Sequence, residues 1–195
     1  MARERRIKAV VIGASWGGID ATIRVIRHFP RDLPVPVFLA QHLRVSPENR
    51  LPRVLGQRAE IEVVGPMDKE EYLPGKVYVA PPGYHMLVDA DGTIGLGMHW
   101  PVLYSRPSVD ELFFSAAHVF GRGTLGILLT GANEDGAEGM DYIARRGGLT
   151  IAQNPETAEA PVMPASAIDK GCVQQVLELD DIGERVVELV FGLEA

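Results

Sequence analysis

The chain of 195 residues has little of what marks a secreted, membrane-inserted or nucleic-acid-binding protein. Cys172 is its single cysteine, so no intrachain disulfide can form. No apolar run approaches the length of a membrane span. Basic residues are also scarce, 19 against 26 acidic ones, and the net charge of −7 makes nucleic acid and anionic membranes poor partners. These absences predict a cytoplasmic protein without direct membrane insertion.

What is present is an ordinary globular composition, with 46% hydrophobic and 23% charged residues. The length is sufficient for one well-packed domain with a sizeable core. No internal repeat, low-complexity linker or break in composition divides the chain, so we expect a single domain over residues 1–195. We interpret Cys172 as a small packing residue, since no base accompanies it in the sequence.

Short apolar runs alternate with helical patterns along the chain. Strands are predicted at residues 9–12, 35–40, 77–80, 125–129 and 149–152. All but the third are continuous apolar runs, which is typical of strands buried on both faces of a parallel sheet. Around the turn signal at residues 89–92 the pattern instead favours an antiparallel hairpin. The alternation of strands and helices predicts an α/β fold with a doubly wound, mostly parallel sheet in a Rossmann-like three-layer arrangement. The hairpin forms a small antiparallel appendage to it.

Helices are expected at residues 18–29, after an N-cap and proline at Ser46-Pro47, after a capping box beginning at Ser108, and from Asp181 onward. The side chains expected to face the core are Ile19, Ile23 and Ile26, then Leu51, Val54 and Leu55, then Leu112, Phe113, Ala116, Ala117 and Phe120, and finally Ile182, Val186, Leu189 and Val190.

The first predicted strand runs into Gly13-Ala14-Ser15-Trp16-Gly17, a Gly-x-Ser-x-Gly motif followed at once by a helical pattern. This context is that of a nucleophile elbow, in which glycines permit a tight turn that presents the serine hydroxyl. The Trp16 and Gly17 amides would lie at a helix N-terminus, where they can stabilise a developing oxyanion. The motif favours a hydrolase acting through an acyl-serine.

Glycine-rich turns of this kind also bind phosphates, so a nucleotide-binding module is the rival hypothesis. The segment lacks the G-x-G-x-x-G spacing and a Walker lysine, and Trp16 would crowd a phosphate. The hydrolase hypothesis is therefore preferred.

A serine nucleophile needs a base and an acceptor that orients the base. His42 follows the second predicted strand after one residue, so it should lie on the same sheet edge as Ser15. His85 and His99 belong to the hairpin region and could also line a cleft. Position favours His42 as the base.

The acid is sought by the same logic in the loop after the fourth predicted strand, which contains Glu134 and Asp135. Either carboxylate could orient the base or simply cap the next helix, and the spacing does not choose between them. No cluster of histidine and cysteine accompanies the loop, so no metal site is expected.

Several segments in one order resemble the catalytic domain of the CheB chemotaxis receptor methylesterase family. The segments are Gly13–Gly18, Gln41-His42, Pro74–His85, Arg106–Phe113, Leu129–Ala137, Ala152–Asn154 and Met163-Pro164. The resemblance runs from Val10 to Val176 and so covers most of the chain.

The resemblance implies a triad of Ser15, His42 and Asp135, and chooses Asp135 over Glu134. It implies hydrolysis of glutamate γ-methyl esters on chemoreceptor cytoplasmic helices or a receptor-like protein, with methanol released and no cofactor required. Deamidation of receptor glutamines is a further implied activity. Beyond the triad, the motif positions are expected to place Trp16, Gly17, Ala132 and Arg106 in oxyanion or substrate binding.

The sequence departs from the family pattern in three places. Trp16 stands where the family usually has a small residue, and Ala132-Asn133-Glu134 replaces a Met-Gly-x pattern. No receiver domain precedes Arg6, so we expect a stand-alone relative or a domain of a longer protein. The alternative from another functional class is a non-catalytic binding module of a signalling pathway, with Trp16 closing the pocket.

Overall fold

A computed structural model describes residues 7–44 and 48–193. Its strands are β1 (Ala9–Ala14), β2 (Val37–Gln41), β3 (Glu62–Val64), β4 (Glu70–Glu71), β5 (Lys76–Val79), β6 (His85–Val88), β7 (Thr93–Gly97), β8 (Thr124–Leu128), β9 (Leu149–Gln153) and β10 (Gln175–Leu177). Its α-helices are α1 (Gly18–Ile26), α2 (Leu51–Gly56), α3 (Val109–Phe120), α4 (Ala137–Arg145), α5 (Val162–Asp169) and α6 (Leu179–Phe191).

Seven strands form one parallel sheet in the order β10-β9-β8-β1-β2-β5-β3. The chain proceeds outward from β1 to one edge and then returns to build the other half from β8, so the order reverses next to β1. Strands β4, β7 and β6 form a separate antiparallel sheet. The doubly wound α/β fold with a small antiparallel appendage is thus confirmed, with one strand more in the appendage than the hairpin predicted.

The parallel sheet is covered on both faces, which explains its continuous apolar strands. Along β1, Val10 and Ile12 belong to the core beneath α1, α2 and α6, whereas Ala9 and Val11 belong to the core beneath α3, α4 and α5. Successive side chains of a strand point to opposite faces, so a strand buried on both needs apolar residues at every position. The result is a three-layer arrangement.

Cys172 lies in the core on the α3 side, 6% exposed, and its thiol contacts the Ala167 carbonyl oxygen at 3.2 Å. Burial raises the pKa of this thiol. The packing interpretation is confirmed.

All five predicted strands are present, with ends displaced by two residues or fewer. The pattern did not predict β3, β4 and β10, which are two or three residues long and partly exposed. Edge strands of this kind have no continuous apolar run to reveal them.

Some predicted helix details are wrong. Helix α1 ends at Ile26, three residues early, and Ile19 is 38% exposed because the buried face runs through Ala21, Val25 and Ile26 instead. Val54 is likewise 43% exposed, while Leu51 and Leu55 are buried.

The remaining helix predictions had mixed outcomes. The predicted cap at Ser46-Pro47 lies outside the described residues. Helix α6 begins two residues before Asp181 and buries the predicted side chains, whereas α5 was not predicted. In the part of the chain that the structure describes, no helix is both long and apolar enough to cross a membrane.

The N-terminus of α3 packs directly against the end of β1. Ser108 caps the helix as its capping-box position predicts, with its hydroxyl accepting the Glu111 amide at 3.4 Å. Gly13 makes the close approach possible, since a Cβ at this position would lie 2.2 Å from Cγ1 of Val109. The first turn of α3 therefore reaches the carboxyl edge of the parallel sheet.

We expect Gly13→Ala to lower the free energy of unfolding by about 1–3 kcal/mol, because the added methyl overpacks the contact with Val109. In the double variant with Val109→Ala the two costs should be less than additive, since the second change removes the clashing methyl groups. Urea unfolding of both single variants and the double variant measures this.

Gly56→Ala is the matched control, because its added Cβ would lie 3.7 Å from the nearest atom of Val63, an ordinary contact. Its free energy of unfolding should stay within about 0.5 kcal/mol of the parent. Strict additivity of the Gly13 and Val109 changes would contradict the steric argument.

Candidate active site

Three neighbouring strands deliver the candidate side chains to one edge of the sheet. Ser15 directly follows β1, His42 directly follows β2, and Asp135 lies in the connection between β8 and α4. Because β8, β1 and β2 are adjacent and parallel, their carboxyl ends meet beside the point where the strand order reverses. The structure thus brings the three residues together.

The backbones of Ser15 and His42 are held side by side. Ala14 pairs with Gln41 in the β1–β2 register, and the His42 amide donates to the Ala14 carbonyl at 3.0 Å. The buried Gln41 side chain then bridges the pair, its Nε2 donating to the carbonyl oxygens of Ser15 at 2.7 Å and His42 at 3.0 Å. Gln41 fixes where the nucleophile and base candidates leave their strands.

His42 donates from Nε2 to Oδ2 of Asp135 at 2.7 Å. The Asp135 carboxylate is fully buried, and its remaining partners all come from the start of α3: the Ser108 hydroxyl at 3.0 Å, the Val109 amide at 2.8 Å and the Asp110 amide at 3.0 Å. These bonds satisfy both oxygens of a charge that has no water around it.

Burial alone would raise the pKa of Asp135. The hydrogen bonds from His42 and from the Asp110 and Val109 amides favour the charged form, and together they lower the pKa below its ordinary value. The carboxylate is therefore ionised at neutral pH and acts as an acceptor for the imidazole.

Asp135 is the residue whose carboxylate contacts His42, whereas Glu134 is exposed. His85 is excluded as a base by its bonding: Nδ1 accepts the Ser108 amide at 3.2 Å and Nε2 lies 3.3 Å from the Trp100 carbonyl oxygen. Burial, with the stacked ring of His99 at 4.3 Å, lowers the pKa of His85 and keeps it neutral. These two histidines support the loop that borders the site.

The turn after β1 has free hydrogen-bonding groups. Its left-handed position is Gly17, with φ of 75°, a conformation that glycine adopts without a steric penalty. The Ser15 amide donates to the Thr130 carbonyl oxygen at 2.9 Å, and the Gly18 amide donates to the Ser15 carbonyl oxygen at 2.9 Å. Within residues 7–44 and 48–193, the amides of Trp16, Gly17 and Ala132 and the Ser15 hydroxyl have no hydrogen-bond partner. The three amides can donate hydrogen bonds to an oxyanion.

The Trp16 indole stands at the rim of this turn, 66% exposed. Its Nε1 donates to Oε1 of Glu159 at 2.8 Å, and the Thr130 hydroxyl donates to the Trp16 carbonyl at 2.9 Å. Glu159 lies so close to the turn that a Cβ on Gly17 would be 2.6 Å from its Oε2. The bond to Glu159 therefore fixes the orientation of the indole ring at the edge of the site.

A cavity of about 420 Å³ adjoins His42 and is bordered by Arg44, Tyr104 and Arg106. Arg106 donates from Nη1 to the carbonyl oxygens of Met98 and His99, both at 2.9 Å, so part of its guanidinium holds the loop that forms the cavity wall. In the ranges that the structure describes, no group of three or more histidine, cysteine and acidic residues could hold a metal ion.

A second carboxylate, Asp110, lies beside Asp135. Its Oδ1 accepts the amides of Gly136 at 2.9 Å and Gly139 at 2.7 Å, at the start of α4. Burial, opposed by these two bonds and reinforced by the neighbouring Asp135 charge, raises the pKa of Asp110 to about 7. One carboxyl of the pair is thus ionised and the other is poised to titrate near neutrality.

The CheB methylesterase family model matches residues 10–186. The chain belongs to this family. A CheB methylesterase catalytic domain from Thermotoga maritima shares its structure with a TM-score of 0.90 at 33% identity, covering 94% of this chain and 99% of that one.

Curated sequence relatives agree with this assignment. A putative protein-glutamate methylesterase/protein-glutamine glutaminase of Leptospira interrogans is 40% identical over 182 residues, which are 93% of this chain and 94% of the relative. A protein-glutamate methylesterase/protein-glutamine glutaminase of Clostridium acetobutylicum is 41% identical over 187 residues, but these cover only 54% of its length. The chain therefore spans about half of the longer CheB relative.

The sequence motifs shared with the CheB family also contain residues that bond to the candidate site residues and that the sequence did not predict to do so. Gln41 was visible only as the residue between a strand and His42, and Ser108 only as a helix cap. Asp110 follows within the same motif. No local pattern shows that the Gln41 and Ser108 side chains and the Asp110 amide bond to the candidate site residues, because each contact joins segments at least 25 residues apart in the chain.

We expect Asp110→Asn to be more stable than the parent at pH 8 and to lose most of that advantage near pH 4. A raised pKa means that folding retains a proton that the unfolded chain releases, so the parent loses stability as pH rises from about 4 to about 7. The lowered pKa of Asp135 affects stability only below this window.

Asparagine keeps an oxygen acceptor for the two glycine amides but cannot ionise. Urea unfolding at pH 4, 6 and 8 should show a difference between variant and parent that grows to on the order of 1–3 kcal/mol at the highest pH. A difference independent of pH would show that Asp110 does not titrate in this window.

Proposed function

We propose that this protein is a serine hydrolase that removes γ-methyl esters from glutamate side chains of chemoreceptor-type proteins through an acyl-serine intermediate. The observation that carries the proposal is the bond of His42 to the fully buried Asp135, beside the partly exposed Ser15 in the turn after β1. Membership of the CheB methylesterase family supplies the substrate class. The names of the relatives from Leptospira and Clostridium add glutamine deamidation as a second activity of the same site.

In the proposed acylation step, the Ser15 Oγ attacks the ester carbonyl carbon while its proton moves to Nδ1 of His42. Nδ1 is the nitrogen that takes this proton, because Nε2 is bonded to Asp135. The carboxylate holds the ring and stabilises the imidazolium that forms. The oxyanion of the tetrahedral intermediate receives the Trp16 amide, with Gly17 and Ala132 as further donors, each worth roughly 3 kcal/mol.

Collapse of the intermediate breaks the bond to methoxide, which takes the proton from His42 and leaves as methanol. Water then repeats the sequence: His42 removes its proton, hydroxide attacks the acyl-serine, and the released Ser15 oxygen regains a proton. The products are methanol and a glutamate carboxylate. With a glutamine substrate, ammonia would leave in place of methanol. Apart from the substrate and this water, every step uses groups of the chain.

The same proposal extends to the setting of the protein. We infer one catalytic domain over residues 1–195, acting in the cytoplasm on methylated receptor helices or a receptor-like protein. The family match over residues 10–186 supports this setting. In this proposal Arg106 orders the wall of the substrate cavity.

We expect Ser15→Ala to reduce methanol release from a methylated receptor fragment by at least about 10³-fold, because the nucleophile is lost. Stability should be unchanged, since the hydroxyl makes no hydrogen bond within the described residues. Gas chromatography of methanol and thermal unfolding measure the two quantities.

The matched control for this variant is Ser166→Ala, which removes a hydroxyl bonded to the Val162 carbonyl on α5. It should release methanol at the parental rate. Near-parental turnover by Ser15→Ala would reject the nucleophile assignment.

We expect Trp16→Thr to change KM and the ranking of ester substrates more than kcat. The backbone amide stays in place, held through the Thr130 bond, while a large ring is removed from the rim. Loss of such a contact surface is worth on the order of 1–3 kcal/mol. Steady-state kinetics on two methylated fragments measure the change.

Glu159→Gln serves as the control, since its amide oxygen still accepts the indole N–H while its charge is removed. It should leave the substrate ranking of the parent intact. An equal loss of kcat on both substrates in Trp16→Thr, with KM untouched, would show instead that the indole acts in the transition state.

A further inference from the structure

A second serine reaches the candidate base. The Oγ of Ser105 lies 3.3 Å from Nδ1 of His42, the ring nitrogen that does not face Asp135. Because an ionised carboxylate only accepts, Nε2 carries the proton of the neutral imidazole and Nδ1 presents a lone pair. The hydroxyl of Ser105 is then the donor. The nitrogen that must receive a proton from Ser15 is already engaged by another serine.

A strained turn presents Ser105. The amides and carbonyls of Val102 and Ser105 pair at 3.1 and 2.7 Å across Leu103 and Tyr104, whose φ angles are 45° and 65°. Two left-handed residues in succession form a turn that normally contains glycine or asparagine. Leucine and tyrosine adopt this conformation only where their surroundings hold it. The position of Ser105 is thus maintained at an energetic cost.

Hydrogen bonds on either side of the turn hold the loop that contains it. Arg106 binds the carbonyl oxygens of Met98 and His99 on the other side of the loop, and His85 contacts the Trp100 carbonyl. The Arg106 bonds join the two ends of the 98–106 loop to each other. The His85 contact, together with the Gly83 amide donating to the Arg106 carbonyl at 3.2 Å, joins the loop to the body of the protein. A strained turn fixed at both ends, with its last hydroxyl on the base, indicates a function for that hydroxyl.

We propose that Ser105 is a positioning residue of this site, whose hydroxyl donates to Nδ1 of His42 in the free enzyme and is displaced when Ser15 engages that nitrogen. A single lone pair accepts one O–H group well, so the two serines compete for it. The cavity of about 420 Å³ bordered by His42, Tyr104 and Ser105 is where an entering substrate would meet the turn. The inference rests on the proposed function, because it takes Ser15 as the nucleophile and His42 as its base.

The displacement sequence moves one proton at a time. In the free enzyme the Ser105 proton remains on its oxygen and only points to Nδ1. When substrate is bound, the Ser105 hydroxyl turns away and the Ser15 hydroxyl takes its place. The Ser15 proton then transfers to Nδ1 as the Ser15 oxygen bonds to the carbonyl carbon. Ser105 undergoes no chemical change.

The direct test is a long-range proton–nitrogen correlation spectrum of the full chain labelled in its histidines, with His42 assigned from the spectrum of His42→Gln. We expect Ser105→Ala to move the Nδ1 resonance to that of a non-protonated nitrogen without a hydrogen bond. Ser105→Thr, which retains the hydroxyl, should keep the parental resonance, and so should Ser15→Ala. An unchanged resonance in Ser105→Ala, or a change in Ser15→Ala alone, would overturn the proposal.

The second readout is the rate at which a fluorophosphonate labels Ser15 in the absence of ester. Removing the competing hydroxyl should accelerate labelling by about 2- to 10-fold, the range of one neutral hydrogen bond, and Ser105→Thr should restore the parental rate. Slower or unchanged labelling of a folded Ser105→Ala variant, judged by its thermal unfolding, would refute the competition.

The two readouts also separate this inference from the proposed function. If the parent neither releases methanol nor is labelled at Ser15, the hydrolase proposal fails, whatever the Nδ1 resonance shows. If the parent is active and labelled while Ser105→Ala leaves the resonance unchanged, only the role of Ser105 fails.

Discussion

The burial of one charged carboxylate organises this protein. Asp135 has no contact with solvent, and an unpaired charge in that position would cost several kcal/mol. Two amides and a hydroxyl from the start of α3, together with His42, supply the required donors. The positive end of the helix dipole adds to them. The first turn of α3 must therefore lie at the sheet edge, and the absence of a side chain on Gly13 allows it to do so.

The parallel sheet brings the other candidate site residues to the same edge as Asp135. Strands β8, β1 and β2 are neighbours, so the acid, nucleophile and base candidates leave the sheet at one edge. Gln41 ties the backbones after β1 and β2 to each other, and the bond from His42 to Asp135 ties them to the connection after β8. Each group is carried by a rigid element, so the loops around it can differ in shape without displacing the reacting atoms. In this chain the loop at 98–106 and the rim at Trp16 lie around that frame.

The limits of sequence interpretation follow from the same physics. The central strands were predictable because burial on both faces requires apolar residues at every position, whereas the short edge strand β3 carries no such signal. Helix faces were less certain: Ile19 extends the apolar stripe of α1 but lies outside its contact with the sheet. In the site, the Gly-x-Ser-x-Gly motif after a strand indicated Ser15, and position after the next strand indicated His42. Spacing could not separate Glu134 from Asp135, because only the folded chain shows which carboxylate is buried. The contact of Ser105 with His42 joins residues separated by 63 positions and has no local pattern at all.

The split of the sheet into two halves has a consequence for a chain emerging from the ribosome. Ser15 and His42 belong to the half made first, and the carboxylate that completes the pair is 93 residues beyond His42. A domain generally folds as a unit, and pairing between strands far apart in the chain is slow. Until β8 docks against β1, the His42 imidazole lacks the buried carboxylate that it contacts in the folded structure. The nascent chain therefore lacks the complete set of candidate site residues until the segment that follows β8 has been synthesised.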